Sequence, residues 1–249
     1  MKTIPHHRNV FFIIVFIFLC FPCPQAALSE ENHSLSGECV ILLHGLARTS
    51  ASMDKIASRL QHEGYTVENI DYPSREKKIE ELAETAVPEG LDSCRQANAR
   101  RVDFVTHSLG GILVRYYLSL HQIPELGRIV MLAPPNQGSK VVDRFSIYPG
   151  FELINGPAGY QLGTDEKSIP LQLGPADFEL GIIAGDQSIN PILSSAFEEP
   201  NDGKVSIGEA RLAGMKDFLV VHHSHPFIMR SEDVIEQIVL FLKNGRFDH

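Results

Sequence analysis

The sequence RVDFVTHSLGGILVRYYLSL, residues 101–120, joins a short apolar segment to an amphipathic one through a single tight turn. Residues 101–106 are predicted to form a buried strand, and residues 109–120 a helix with an apolar face. Such a strand-to-helix turn lifts the hydroxyl of Ser108 above the edge of a sheet, where it can react. Ser-x-Gly alone is weak support, since it recurs at Ser206, but no apolar strand precedes that copy. Ser108 is therefore the candidate nucleophile.

The same alternation of short apolar runs and helical periodicity continues through most of the chain. Strands are predicted at 38–43, 65–70, 101–106, 128–132, 178–184 and 218–221, and helices at 53–60, 79–87, 89–97, 109–120 and 231–244. Strands that alternate with helices pair in parallel through right-handed crossovers. The predicted fold is therefore α/β, a doubly wound, mostly parallel sheet of about six strands.

Residues 134–176 interrupt this alternation. The segment is rich in Gly, Pro and Asn with scattered apolar residues, and it is long for a plain connection. Ligands of open α/β sheets bind at the carboxyl ends of the strands, so a lid-like insertion there is expected to wall or cover the site. The alternative is a surface loop with a small core of its own.

Composition limits the classes of function. The chain has 249 residues with 31 acidic and 22 basic side chains, a formal charge of −9, which fits one globular domain and argues against nucleic acid as a partner. It contains no spacing typical of a metal site, such as CxxC or HExxH. No cofactor and no metal are expected.

The N-terminus has the pattern of a signal peptide. Residues 1–27 carry Lys2 and Arg8, an apolar run over 10–21 and a polar exit that ends at Ala27. That run is shorter than the roughly 20 residues of a membrane span, although an uncleaved anchor is the alternative. Residues 28–249 are then a secreted or periplasmic domain. Its two cysteines, Cys39 and Cys94, either form a disulfide or stay as buried thiols.

Four motifs resemble the landmarks of one superfamily. They are His44-Gly-Leu46, Thr106-His-Ser108-Leu-Gly-Gly111, Ala133-Pro-Pro-Asn-Gln-Gly-Ser139 and Asn201-Asp-Gly-Lys-Val205. The chain thereby resembles bacterial lipases and lipase-like esterases of the α/β-hydrolase superfamily, including relatives similar to GPI-inositol deacylases, over residues 38–245. Thr106 departs from the usual pattern, which has glycine there, and should crowd the turn without removing the nucleophile.

A serine nucleophile needs a histidine base, and a cluster of three histidines follows the last predicted strand. His222, His223 and His225 stand where the superfamily places its base. His225 is favoured over His223, because it lies further into the loop, before Pro226, and because relatives have a similar H-x-F arrangement.

The acid that orients this base has two candidates. Asp186 follows the fifth predicted strand, and Asp202 lies in Asn-Asp-Gly, which is also a good turn sequence. The resemblance favours Asp202, since such lipases carry their aspartate in a D-G-x-V segment. The order Ser108, Asp202, His225 is that of the fold.

The resemblance also implies two backbone donors for an oxyanion, the amides of Leu46 and Leu109. Some relatives bind calcium through an aspartate two residues after the histidine, and Phe227 in that place predicts no calcium there.

The predicted function is an exported serine hydrolase that cleaves carboxylic esters, with lipid or acyl esters favoured. Transient contact with a lipid surface is compatible with such substrates. A thioesterase, amidase or acyltransferase on the same triad is the nearest alternative. A non-catalytic binding protein on the hydrolase fold is the rival class.

Overall fold

The computed structural model describes Met1 and residues 37–249, so the predicted signal peptide, apart from Met1, lies outside the described residues. Six strands form one sheet, and every neighbouring pair is parallel. They are β1 (Glu38–Leu43), β2 (Thr66–Ile70), β3 (Arg101–His107), β4 (Leu126–Leu132), β5 (Leu180–Gly185) and β6 (Asp217–Val221). The predicted doubly wound, mostly parallel sheet is confirmed.

Helices cover both faces of this sheet. They are α1 (Asp54–His62), α2 (Ile79–Gln96), α3 (Leu109–Leu120), α4 (Lys140–Phe145), α5 (Phe151–Tyr160), α6 (Ile169–Gln172), α7 (Pro191–Ser194), α8 (Ile207–Ala210) and α9 (Glu232–Asn244), with 3₁₀ turns at Ser50–Met53 and Ile228–Arg230. Alternate residues of β1 separate the two cores: Ile41 and Leu43 pack with α2 and α3, and Val40 and Leu42 pack with α1 and α9. This alternation is the period of two expected for a strand buried on both faces.

The strand order β2-β1-β3-β4-β5-β6 reverses direction between β1 and β3. At such a switch point the loops that leave the two strands diverge to opposite faces and open a crevice at the carboxyl edge. The loop that begins at His44 and the turn at Ser108 therefore flank the crevice.

Helix α2 corrects one prediction. The sequence predicts a break at Pro88, but the helix continues from Ile79 to Gln96 with the proline inside it. Val87 and Leu91, on either side of the proline, are both buried in the core. Their packing outweighs the backbone hydrogen bond that the proline removes.

The insertion is helical in part and is tied to the core by one buried arginine. Residues 134–176 contain α4, α5 and α6. Arg115 on α3 donates hydrogen bonds to Asn136 and to the carbonyls of Pro170 and Gly174, at 2.9 to 3.1 Å. Burial lowers the pKa of this guanidinium to about 10. The two ends of the insertion are thus anchored on the same side chain.

Cys39 of β1 and Cys94 of α2 form a disulfide with a Cα–Cα distance of 5.8 Å. Both side chains are fully buried. The open question of the sequence is resolved in favour of the bridge, which joins the sheet to the helix that covers it. Within residues 37–249, no helix combines the length and the apolar character that crossing a membrane requires.

Candidate active site

Ser108 stands in a strained turn between β3 and α3. Its φ and ψ are 52° and −116°, a conformation that non-glycine residues rarely adopt. The backbone N–H of Ser108 donates to the carbonyl of Leu132 at 2.9 Å, which fixes the turn to the neighbouring strand. A Cβ on Gly110 would lie 2.6 Å from the carbonyl oxygen of Leu43, so only glycine lets α3 approach β1 this closely. The serine hydroxyl is thereby held at the rim of the sheet.

Thr106 occupies the position at which the resemblance expects glycine. Its side chain is fully buried, and its Oγ1 would lie 3.2 Å from a Cβ placed on Gly111. Gly111 therefore provides the room that the threonine takes up. The turn therefore accommodates the threonine side chain, because the neighbouring position has no Cβ.

His225 reaches Ser108 from the loop after β6. Its Nε2 lies 3.1 Å from Oγ of Ser108, so the hydroxyl can donate to the imidazole. His107 donates from its own Nε2 to the carbonyl of His225 at 3.1 Å, and the two rings are 4.8 Å apart. His225 is buried, with 4% of its surface exposed. Its place is thus set by the residue that precedes the serine.

Asp202 completes the chain of hydrogen bonds. Its Oδ2 accepts from Nδ1 of His225 at 2.7 Å, and its Oδ1 accepts from the amides of Lys204 and Val205 at 2.9 and 2.8 Å. The backbone N–H of His225 donates to the carbonyl of Asp202 at 3.0 Å. The turn predicted from the sequence Asn-Asp-Gly is present, and this turn directs the carboxylate of Asp202 toward the imidazole of His225.

The competing residues pair elsewhere. His223 bonds Asp233 at 2.8 Å, and His222 bonds Asp186 at 2.9 Å. Both alternative histidines therefore have their own carboxylates. The structure brings together Ser108, His225 and Asp202, and their catalytic roles stay a prediction.

Two further histidines are buried beside the site. Burial lowers the pKa of His107 well below its usual value, and the charges of His225 and Arg48 act in the same direction. Burial also lowers the pKa of His44, whose ring stacks on Tyr72 at 4.0 Å. His44 donates from Nδ1 to the carbonyl of Gly45 and accepts the amide of Tyr72 at Nε2. His44 braces the loop after β1, and Tyr72 is a partner that the sequence analysis missed.

The predicted oxyanion donors lie on either side of the serine. Leu109 is the first residue of α3, where an amide has no acceptor within its own helix. Leu46 follows His44 and Gly45 and lines the same cavity as Ser108. Both positions are compatible with the predicted role, which stays a prediction.

A cavity of about 490 Å³ opens onto Ser108 and His225. The insertion contributes to its wall through Val141, Val142, Phe145, Phe151, Ile154 and Leu162, and its role as a lid stays a prediction. The cavity is suited to an apolar group that ends in a reactive carbonyl. Within the described part of the chain, no cluster of three His, Cys, Asp or Glu side chains is arranged to hold a metal ion.

This fold and this serine turn define a class of protein. The chain belongs to the alpha/beta hydrolase family, whose model matches residues 40–224. A search of the curated proteins gave no match.

Three solved structures illustrate the shared fold. The lipase BlEst2 of Bacillus licheniformis, in its mature form, is similar with a TM-score of 0.67 and 20% identity, over 84% of this chain and 92% of that one. The phospholipase PlaB of Legionella pneumophila, in complex with thio-NAD, gives a TM-score of 0.61 and 17% identity over 84% of this chain but 62% of its own length. The metagenomic carboxyl esterase MGS0156 gives 0.61 and 19% over 78% and 66%.

Proposed function

We propose that this protein is an exported serine hydrolase that cleaves carboxylic esters, with acyl lipids as the favoured substrates. The observation that carries the proposal is the unbroken chain of hydrogen bonds from Ser108 through His225 to Asp202, at 3.1 and 2.7 Å. It is buried at its acidic end and open to an apolar cavity at the serine. The lipase, phospholipase and esterase named above have the same fold and agree with this class of substrate.

The proposed reaction follows from these positions. Ser108 attacks the ester carbonyl while His225 accepts its proton, and the carboxylate of Asp202 stabilises the imidazolium. The same imidazolium then gives the proton to the leaving alcohol, which departs and leaves an acyl-serine. Water, deprotonated by His225, hydrolyses the acyl-serine and restores the enzyme. The amides of Leu46 and Leu109 would donate to the oxyanion of each tetrahedral intermediate.

Two observations support the lipid preference and the export. The insertion exposes large apolar side chains, including Ile147, Leu153 and Ile154, and Ile154 also lines the cavity. Such a rim is suited to transient contact with a lipid surface. The disulfide between Cys39 and Cys94 is of a kind that persists in oxidising compartments, in agreement with the signal-peptide pattern of residues 1–27.

Labelling with a fluorophosphonate probe tests the proposal. We expect the folded wild type to be labelled on Ser108, and Ser108→Ala and His225→Ala each to lower ester turnover by about three orders of magnitude or more. His223→Ala is the matched control, since this histidine bonds Asp233 and has no hydrogen bond to Ser108 among the described residues. An unlabelled folded wild type would favour the binding-protein class. A severe loss in His223→Ala with a mild one in His225→Ala would refute the assignment of the base.

A further inference from the structure

A second pocket, of about 320 Å³, is lined by three arginines. Arg48 follows β1, Arg75 follows β2, and Arg230 ends the 3₁₀ turn that comes after His225. Arg48 also lines the cavity that holds Ser108. The two pockets therefore meet at one guanidinium group, and we call the second one the arginine pocket.

Within residues 37–249, these three guanidinium groups have no acidic partner. Among the described residues, no carboxylate lies within 4.0 Å of any of them. The chain as a whole carries nine more acidic than basic side chains, and other arginines do find partners, such as Arg59 with Glu236 at 2.7 Å. Like charges that converge without counterions repel each other, so a bound anion would relieve that repulsion. The arginine pocket is thus electrostatically incomplete as it stands.

The chemistry of the lining indicates the kind of anion. A guanidinium group offers paired N–H donors in a planar fork that matches two oxygens of a phosphate. Three such groups from three loops can surround a tetrahedral oxyanion, which has more acceptor oxygens than a carboxylate. The positive charge of Arg48 also acts on the candidate active site. Burial lowers the pKa of His107 most, His225 comes second, and Arg48 contributes third in the same direction.

The apolar cavity and the arginine pocket together are complementary to the two ends of an amphiphile. The cavity beside Ser108 would suit an acyl chain, and the arginine pocket, which shares Arg48 with it, would suit an anionic group. We propose that the arginine pocket binds the phosphate group of the substrate, which is then an acyl glycerophosphate with its acyl chain in the 490 Å³ cavity. This inference rests on the proposed function and specifies its substrate class.

Two monomeric esters that differ in one phosphate group test the inference. They are 1-octanoyl-glycerol 3-phosphate and 1-octanoyl-glycerol, both assayed below micelle formation so that the phosphate belongs to the substrate itself. We expect kcat/KM of the wild type to be at least about tenfold higher for the phosphate-bearing ester, as for one hydrogen-bonded charge pair. Arg75→Gln and Arg230→Gln should each reduce the ratio of the two kcat/KM values by about fivefold or more.

Arg246→Gln is the matched control. Arg246 is exposed and lies just beyond the C-terminal end of α9, outside the lining of both pockets. The substitution Arg246→Gln removes the same charge and should leave the ratio of the two kcat/KM values unchanged. Thermal unfolding of all three variants checks that these surface changes leave the fold intact.

Several results would overturn the inference. Equal kcat/KM of the wild type for the two esters would refute the inference while leaving the hydrolase in place. So would a ratio of the two kcat/KM values that is unchanged in both arginine variants. Inorganic phosphate should compete with the phosphate ester. If it instead accelerates hydrolysis of the uncharged ester, free phosphate is the ligand and the headgroup assignment is wrong. Absence of both hydrolysis and fluorophosphonate labelling would overturn the proposed function and the inference together.

Discussion

Asp202→Asn tests how the imidazole of His225 is oriented. Oδ1 of Asp202 accepts from the amides of Lys204 and Val205 at 2.9 and 2.8 Å. The asparagine must keep its oxygen in that place, because an NH₂ group there would face two other donors. Its NH₂ group then faces Nδ1 of His225, which becomes an acceptor. Nε2 carries the ring proton in that tautomer and cannot take one from Ser108.

The expected loss is about 10⁴-fold in kcat, as for the wrong tautomer in a serine triad. At 1.36 kcal/mol for each factor of ten, that is about 5.4 kcal/mol of transition-state stabilisation. The assay is the steady-state hydrolysis of p-nitrophenyl butyrate, with thermal unfolding as a check that this isosteric change preserves the fold. A variant that keeps more than about a tenth of the wild-type kcat would refute the reasoning, since each factor of ten is only 1.36 kcal/mol.

The matched control is Asp186→Asn, the other candidate acid. Asp186 bonds His222 at 2.9 Å and has no hydrogen bond to His225 among the described contacts. Its kcat should stay within about twofold of the wild type, as for a surface change away from the site. Comparable losses in both variants would show that the two carboxylates cannot be told apart by the geometry.

Three further predictions concern the turn, the disulfide and a buried carboxyl group. In Gly45→Ala the new methyl would lie 2.6 Å from Nδ1 of the buried His107, so the ring must shift and the rate of fluorophosphonate labelling should fall by roughly 10- to 100-fold; an unchanged rate would contradict it. The disulfide joins cysteines 55 residues apart, and loop entropy predicts that Cys39→Ala with Cys94→Ala lowers the free energy of unfolding in urea by about 4 kcal/mol; equal midpoints and slopes would count against this. Burial raises the pKa of Asp103 to about 6, above the roughly 3.9 of an unfolded chain, so the native state keeps that proton longer and stability falls as pH rises from about 4 to 6. Urea titrations of Asp103→Asn should show a smaller fall over that interval, and an equal fall would refute the assignment.

Much of the fold follows from local patterns. Strand and helix periodicities depend on residues a few positions apart, so the six strands and their parallel pairing could be predicted. The strained turn at Ser108 is local as well. The helices of the insertion were missed because they are short and interrupted, as at Gly156, where α5 has a φ of 61°. Pro88 misled the prediction because packing on both sides of it is a tertiary effect.

The candidate site depends on contacts between distant residues. Three histidines follow β6 within four positions, and nothing in their spacing says which one meets a serine 117 positions earlier in the chain. The resemblance to known hydrolases favoured His225 among the three histidines. The packing of the loop against His107 decides which imidazole reaches Oγ of Ser108. The arginine pocket was not anticipated, since Arg48, Arg75 and Arg230 belong to separate loops.

Sequence alone therefore determined the class of fold, the serine turn and the acidic net charge, because periodicity, turn chemistry and charge are properties of neighbouring residues or of simple sums. Only the tertiary structure decided which histidine and which aspartate complete the hydrogen-bonded chain, that Cys39 and Cys94 are bonded, and that three arginines share one pocket. The physical reason is that these contacts join residues far apart in the chain, and their distances are set by how helices and loops pack on the sheet.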